Sequence, residues 1–293
     1  MHFLLLCILS STGIFVIFKT INRLNIPAFP VIVINYLVAT FLGFFINTGD
    51  SAPASILDSR WLPISIIIGI LFILMFFLVA HSTRKAGLSV TTVASKMSVI
   101  FPIVFSLLID PSDQLSLMKS AAVVIALIGV VLTVYKPDNG SPEKSVIFIP
   151  LLLFVGMGVV DSMVKLAQHQ YVNDNETALF SAILFLNAFI SGLLVMLLYR
   201  KDNRQFLKPK TWVWGALLGA VNFGSIFFLV RALNYSSAAG KSMDSSVIFG
   251  ANNIGIVALS VLVGLAIFKE KLKFINWIGV VLSALALLLF TLV

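Results

Sequence analysis

The chain has 293 residues, 59 % of them hydrophobic and only 11 % charged, with a mean hydropathy of +1.07. A water-soluble domain carries about 25 % charged residues, so this composition excludes a protein whose whole surface faces water. The formal charge of +8 is then expected in the cytoplasmic loops of a polytopic membrane protein and does not call for nucleic acid.

Apolar runs bounded by charged residues, Pro or Asn/Asp predict ten membrane-spanning helices, at about 2–18, 29–47, 61–82, 90–109, 116–135, 145–166, 177–199, 212–232, 243–268 and 274–292. The opening "MHFLLLCILSS" has no basic leader and no small-residue cleavage pattern, so it reads as the first span and not as a removable signal. A single cysteine, Cys7, excludes an internal disulfide and reads as packing. The third span carries His81 near its inner end, where a lone histidine suits an interface better than a proton relay.

The fourth span, "VTTVASKMSVIFPIVFSLL", holds the most informative residue. An unpaired ammonium in hydrocarbon costs about 3 kcal/mol or more, so Lys96 needs a partner, a route to water or a task. In a helix Thr92, Ser95, Lys96 and Val99 share one face, opposite Val93, Met97, Ile100 and Val104. That small polar stripe suits the interior of a helix bundle. Pro102 frees a backbone carbonyl and predicts a kink at the same level. The plain alternative is a lysine snorkelling to the headgroups.

Asp161 and Lys165 in the sixth span are spaced i, i+4, as an intrahelical ion pair. Either they neutralise each other near the outer end, or Asp161 is free to pair with Lys96 or to carry a proton. The eighth span contains "GALLG", Gly215–Gly219, with the small-xxx-small spacing of close helix packing. It ends at Arg231, which reads as a headgroup contact or as a gate or anion contact. In the ninth, Lys241, Asp244, Ser245, Asn252 and Gly255 fall within about 120° of one another. Asn252 is either a substrate contact or interhelical glue, and Asn253 reads as glue. Glu270, between Lys269 and Lys271, reads as a turn residue capping or bridging charges at the cytoplasmic rim.

Fourteen of the 20 Lys and Arg lie in the connections after helices 1, 3, 5, 7 and 9, five in the others, and Lys96 within the membrane. The positive-inside rule puts the first set of loops in the cytoplasm and both termini outside, and a bacterial inner membrane is the expected location. The chain also repeats itself. "WLPISIIIGILFILMFFLVA" from Trp61 resembles "WVWGALLGAVNFGSIFFLVR" from Trp212, and "DQLSLMKSAAVVIALIG" from Asp113 resembles "EKLKFINWIGVVLSALA" from Glu270. Five helices per half is an odd number, so residues 1–136 and 145–293 are expected to form two inverted five-helix repeats, together one transport domain.

The stretches "RALNYSSAAGKSMDSSV" and "LAIFKEKLKFINWIGVVLSALALLL" resemble the EamA-type members of the drug/metabolite transporter superfamily. They carry a helix end, a small-residue turn, a long helix, a Glu-Lys-Leu turn and a Trp-Ile-Gly-Val final helix. The first half departs from the pattern, with Asp113 where the turn glutamate would stand. The resemblance implies an all-α, ten-helix secondary transporter of metabolites, amino acids, nucleotide sugars or drugs, with a cavity lined by helices 1, 3, 4, 6, 8 and 9, and favours export.

The residues themselves add the substrate class. Lys96, with Lys241, Lys165 and Arg231 towards the outside, favours a carboxylate or phosphate; Asp161 and Asp244 balance those charges or bind an amine. Ser95, Thr92 and Asn252 complete the expected site, which suits an amino acid or a related zwitterion. No Walker loop, HExxH, GxSxG or His/Cys cluster is present, so neither a cofactor nor an enzymatic reaction is expected, although proton coupling stays open. A cationic multidrug exporter and a lipid-headgroup flippase are the alternatives, with a channel and a lipid-modifying enzyme behind them. The expected partners are the lipid bilayer and a small solute, with the chain acting as a monomer or homodimer.

Overall fold

In hydrocarbon only helices and closed barrels satisfy every backbone polar group, and here the apolar runs are helices. The structure, a computed structural model, describes residues 2–46, 59–101, 117–135, 144–172, 177–198, 203–238 and 245–291. The helices are α1 (His2–Arg23), α2 (Ala28–Ile46), α3 (Leu62–Lys85), α4 (Leu88–Met97), α5 (Leu117–Val134), α6 (Lys144–Gln170), α7 (Thr177–Leu198), α8 (Pro209–Ala238), α9 (Ser245–Ala266) and α10 (Phe274–Thr291), with one helical turn at Asn203–Phe206 ahead of α8. No strand occurs among the described residues.

Among the described residues α1, α2, α3 and the segments Leu179–Leu198 and Pro209–Leu229 are long and apolar enough to cross a membrane; shorter apolar stretches lie in α5, α6, α9 and α10. Their outward faces expose large side chains, among them Phe45 at 86 % and Leu198 at 80 %. Water would disfavour so much apolar surface, whereas lipid accommodates it. The chain is an integral membrane protein.

The principal helix contacts follow one scheme. α1 packs on α8 and α9, and α6 packs on α3 and α4. α2 packs on α7 and α8, α7 on α2 and α3, α4 on α9, and α5 on α10. Exchanging each helix with the one five places along leaves these pairs unchanged; α9 also packs on α10, and α1 packs on α3 without an equally strong α6–α8 contact among the described residues. Matching polar bridges recur in it: the amides of Asn35 (α2) and Asn222 (α8) meet at 3.1 Å, and Asn187 (α7) donates to Ser65 Oγ (α3) at 2.9 Å. Gly215 and Gly219 let α8 run against Ile34, Asn35 and Val38 of α2, the packing role expected of "GALLG".

The tightest crossing joins α5 and α10. A Cβ on Gly129 would lie 2.6 Å from Ser283 Oγ and 2.8 Å from the Ser283 nitrogen, and one on Gly279 would meet the Thr133 nitrogen and lie 2.7 Å from the Gly129 carbonyl. Ala122, Ala126 and Ala286, all fully buried, keep the seam narrow. Without a hydrophobic driving force between helices in lipid, such backbone proximity is what holds them together.

One expected span is broken. The sequence predicts one fourth helix over 90–109, kinked through Pro102, but α4 stops at Met97, Ser98 and Val99 form a turn, and helical geometry resumes at Ile100. Pro102 itself lies outside the described residues; a proline there has no N–H to offer the carbonyl of Ser98, four residues earlier. Phe101 N takes that carbonyl instead, at 2.9 Å, which tightens the chain into a turn.

Candidate functional site

The break places Lys96 in the last turn of α4. Carbonyls without helical partners and the negative end of the helix dipole gather there, and a cation is favoured by both. Val93, Ala94, Met97 and Ile100 bury themselves in an apolar cluster with Ala126, Phe154, Val257 and Val261, which fixes the rotation of α4. Thr92 and Ser95 are buried as well, while Lys96 keeps partial exposure. Thr92 returns its hydroxyl to the Leu88 carbonyl at 3.0 Å.

Asp161, on α6, lies within Coulombic reach of Lys96. The two form no direct ion pair; the carboxylate accepts instead from Ser98 Oγ at 2.9 Å. That same oxygen lies 2.6 Å from the Ser95 carbonyl, and one hydroxyl proton serves one acceptor at a time. Gly158, one turn before Asp161, leaves the space that the Phe101 ring fills. Cys7 of α1 lies in the neighbourhood of Lys96, and its thiol donates to the Ser225 carbonyl at 3.1 Å. The site therefore offers one ammonium and one carboxylate, close but not joined, at a helix break. Among the described residues no cluster of His, Cys, Asp or Glu is placed to hold a metal.

The other expected residues fall elsewhere. Asn252 is buried on α9, and among the described residues its Oδ1 has no hydrogen-bond partner; the same holds for Thr12 Oγ1 on α1, the helix against which α9 packs. Arg231 is exposed and lies 5.3 Å over the Phe227 ring. Lys241 and Asp244 lie outside the described residues, as does the side chain of Lys165. Sequence reasoning passed over Ser98, because an unbroken helix turns it away from the Lys96 stripe. It also passed over Cys7 and Thr12, whose partners lie far along the chain.

A second polar cluster occupies the ends of α1, α3 and α4. Glu270, in the turn between α9 and α10, pairs with Lys19 Nζ at 2.9 Å. It also accepts from the backbone N–H groups of Leu88 at 2.6 Å and Ser89 at 3.1 Å, and from Ser89 Oγ at 2.9 Å. Burial alone would push this carboxyl up, but the Lys19 ammonium and the two N–H donors outweigh it and hold the group below its usual value. Lys19 also donates to the Thr83 carbonyl at 3.1 Å. Arg23 donates to the Phe268 carbonyl at 2.7 Å and lies 4.6 Å over its ring. The sequence predicts Glu270 as a turn residue capping or bridging charges; it caps the start of α4, and its cationic partner is Lys19.

Three comparisons bear on this architecture. Residues 145–292 match the EamA-like transporter family. An uncharacterized protein of Haemophilus influenzae is 29 % identical over 300 residues, covering 98 % of this chain and 96 % of its own. A protein crystal structure superposes with a TM-score of 0.59 at 15 % identity, covering 98 % of this chain and 96 % of that one, a likeness of fold alone.

Proposed function

The chain belongs to the EamA-like transporter family, and we propose that it is a secondary transporter whose substrate is a small zwitterion or carboxylate, an amino acid or close relative, held between Lys96 and Asp161. The observation that carries this reading is the separation of those two charges. The substrate carboxylate would complete Lys96, and its ammonium would take Asp161 from Ser98. Many secondary transporters bind substrate and coupling ions near the bilayer midplane at discontinuous helices. The unpartnered acceptors of Asn252 and Thr12 are candidates for further polar contacts, with Lys241, Asp244, Lys165 and Arg231 assigned to the route outwards.

Two inverted repeats of five spanning helices, rocking about this site, are the mechanism we favour. The exchange symmetry of the helix contacts and the paired Asn bridges support it. Loops after α1, α3, α5, α7 and α9 are assigned to the cytoplasm on their Lys and Arg content, and export follows the family. Protons are the favoured coupling ion. A proton on Asp161 would let Asp161 donate to Ser98 Oγ while Ser98 donates to the Ser95 carbonyl, so that both short contacts become hydrogen bonds.

A thermal-shift screen of purified protein against anionic, zwitterionic and cationic metabolites, on wild type and Lys96→Ala, tests the reading. A ligand at 100 times its Kd stabilises by about 2.7 kcal/mol. Zwitterions or carboxylates should raise the melting temperature of wild type and not of the variant. Stabilisation by cations only, equal in both proteins, would overturn the substrate class and leave a cationic-compound exporter.

A further inference from the structure

Helix α4 has no N-terminal cap of its own. Its first flanking residue is Gly87, at φ 102 with no side-chain cap, and the cap comes from Glu270, some 180 residues along the chain. Space for that carboxylate is reserved on two sides. A Cβ on Gly87 would lie 2.9 Å from Glu270 Oε1, and one on Gly264 would lie 2.9 Å from Glu270 Oε2. At its other end α4 carries Lys96. One ten-residue helix, about 15 Å long, thus joins the Glu270 cluster to the charged pair of the proposed site.

The chemistry of this contact differs from that of the α5–α10 seam. The seam is dry backbone against small residues and has no inexpensive second arrangement. The Glu270 cluster is polar and stands at the rim, with the Lys19 and Glu270 side chains 17 % and 10 % exposed. Its donors and acceptor would find water when parted, so breaking it exchanges hydrogen bonds without stranding them. Lys19 and Arg23 of α1 and Leu88 and Ser89 of α4 all bond from the first half of the chain to the turn between α9 and α10, and Lys19 also holds the Thr83 carbonyl of α3.

From this geometry we infer that Glu270 is the latch of the gate at the Lys19 end of the protein. Joined to Lys19 and to the start of α4, it closes that end, and its release from Leu88 and Ser89 opens a path to Lys96. The inference rests on the transporter reading above, and it adds which contact must break, with α4 as the rod that carries the event between site and gate. Substrate charge at Lys96 acts on the same helix whose opposite end Glu270 holds.

The test is a distance measurement across the gate by electron–electron double resonance, with spin labels at Leu24→Cys and Lys271→Cys, both exposed, in a Cys7→Ser background. The reference protein should give a dominant short distance. Glu270→Gln keeps the shape but loses the charge, and should raise the ratio of long to short distances about tenfold. Adding Arg23→Gln should raise it further. Gly264→Ala, which wedges a methyl between Ser89 and Glu270 without altering charge, should act in the same direction. If Glu270→Gln and Gly264→Ala proteins that melt cooperatively keep the reference distances, the latch is overturned. No substrate enters this measurement. Unchanged distances leave the transporter reading standing, and a failed metabolite screen with shifted distances removes the substrate reading and keeps the moving latch.

Discussion

Replacing Gly279 by Ala isolates what close packing contributes in lipid. The new methyl would meet the Thr133 backbone nitrogen and come within 2.7 Å of the Gly129 carbonyl, both main-chain atoms on α5 with no rotamer to change. Restoring ordinary contact requires the two helices to part by roughly 0.7 Å or more, which loosens Ser283 and the buried alanines along the seam. Overpacking of this kind costs about 1–3 kcal/mol, against which Ala in place of Gly returns about 1 kcal/mol of helix propensity. A net loss of about 1 kcal/mol is expected. The matched control is Gly13→Ala on α1, where the nearest atom is a Val221 methyl at 3.4 Å; there the propensity gain should stand and stability should hold or rise. Thermal unfolding of the purified proteins in one detergent compares the pair, with an expected drop of about 2–4 °C for Gly279→Ala. If Gly279→Ala melts at or above Gly13→Ala, backbone proximity is not what holds α5 to α10.

Asn276 closes the C-terminal end of α5, donating to the carbonyls of Leu132, Thr133 and Tyr135 at 3.2, 2.9 and 2.7 Å. Asn276→Ala should cost about 1–3 kcal/mol in the same unfolding assay and Asn276→Asp more, because a carboxylate would then face three acceptors; equal losses would contradict this account. Stability should also depend on acid through Glu270. Its carboxyl is held below the usual value, so the folded state takes up this proton less readily than the unfolded state, whose carboxyl titrates near about 4.3. The contribution is complete above that value and disappears as pH falls through the folded one. Melting temperatures of wild type and Glu270→Gln should differ at pH 7 and converge as the pH falls through the lowered folded value, whereas parallel curves would assign the difference to something other than this charge.

The sequence alone determined the class of protein and its helical character, because a run of about 20 apolar residues has few alternatives to a helix in hydrocarbon. It singled out Lys96 and Asp161 for the same reason: a charge in such a run is costly wherever it sits, so its presence is informative before any partner is known. The small-residue spacing of Gly215 and Gly219 was legible too, since helix periodicity alone puts both on one face. What the sequence did not decide was everything that depends on two distant segments meeting. The turn at Ser98 followed from a proline whose effect was read as a kink, and only the bond from Phe101 to Ser98 shows the helix ending there. Ser98 bonds Asp161 across 63 residues, and Glu270 caps a helix some 180 residues away. Neither pairing leaves a trace in local periodicity, because a polar side chain signals that it needs a partner without specifying which. Tertiary packing chose the partners, by bringing α4 against α6 on one side and against the α9–α10 turn on the other.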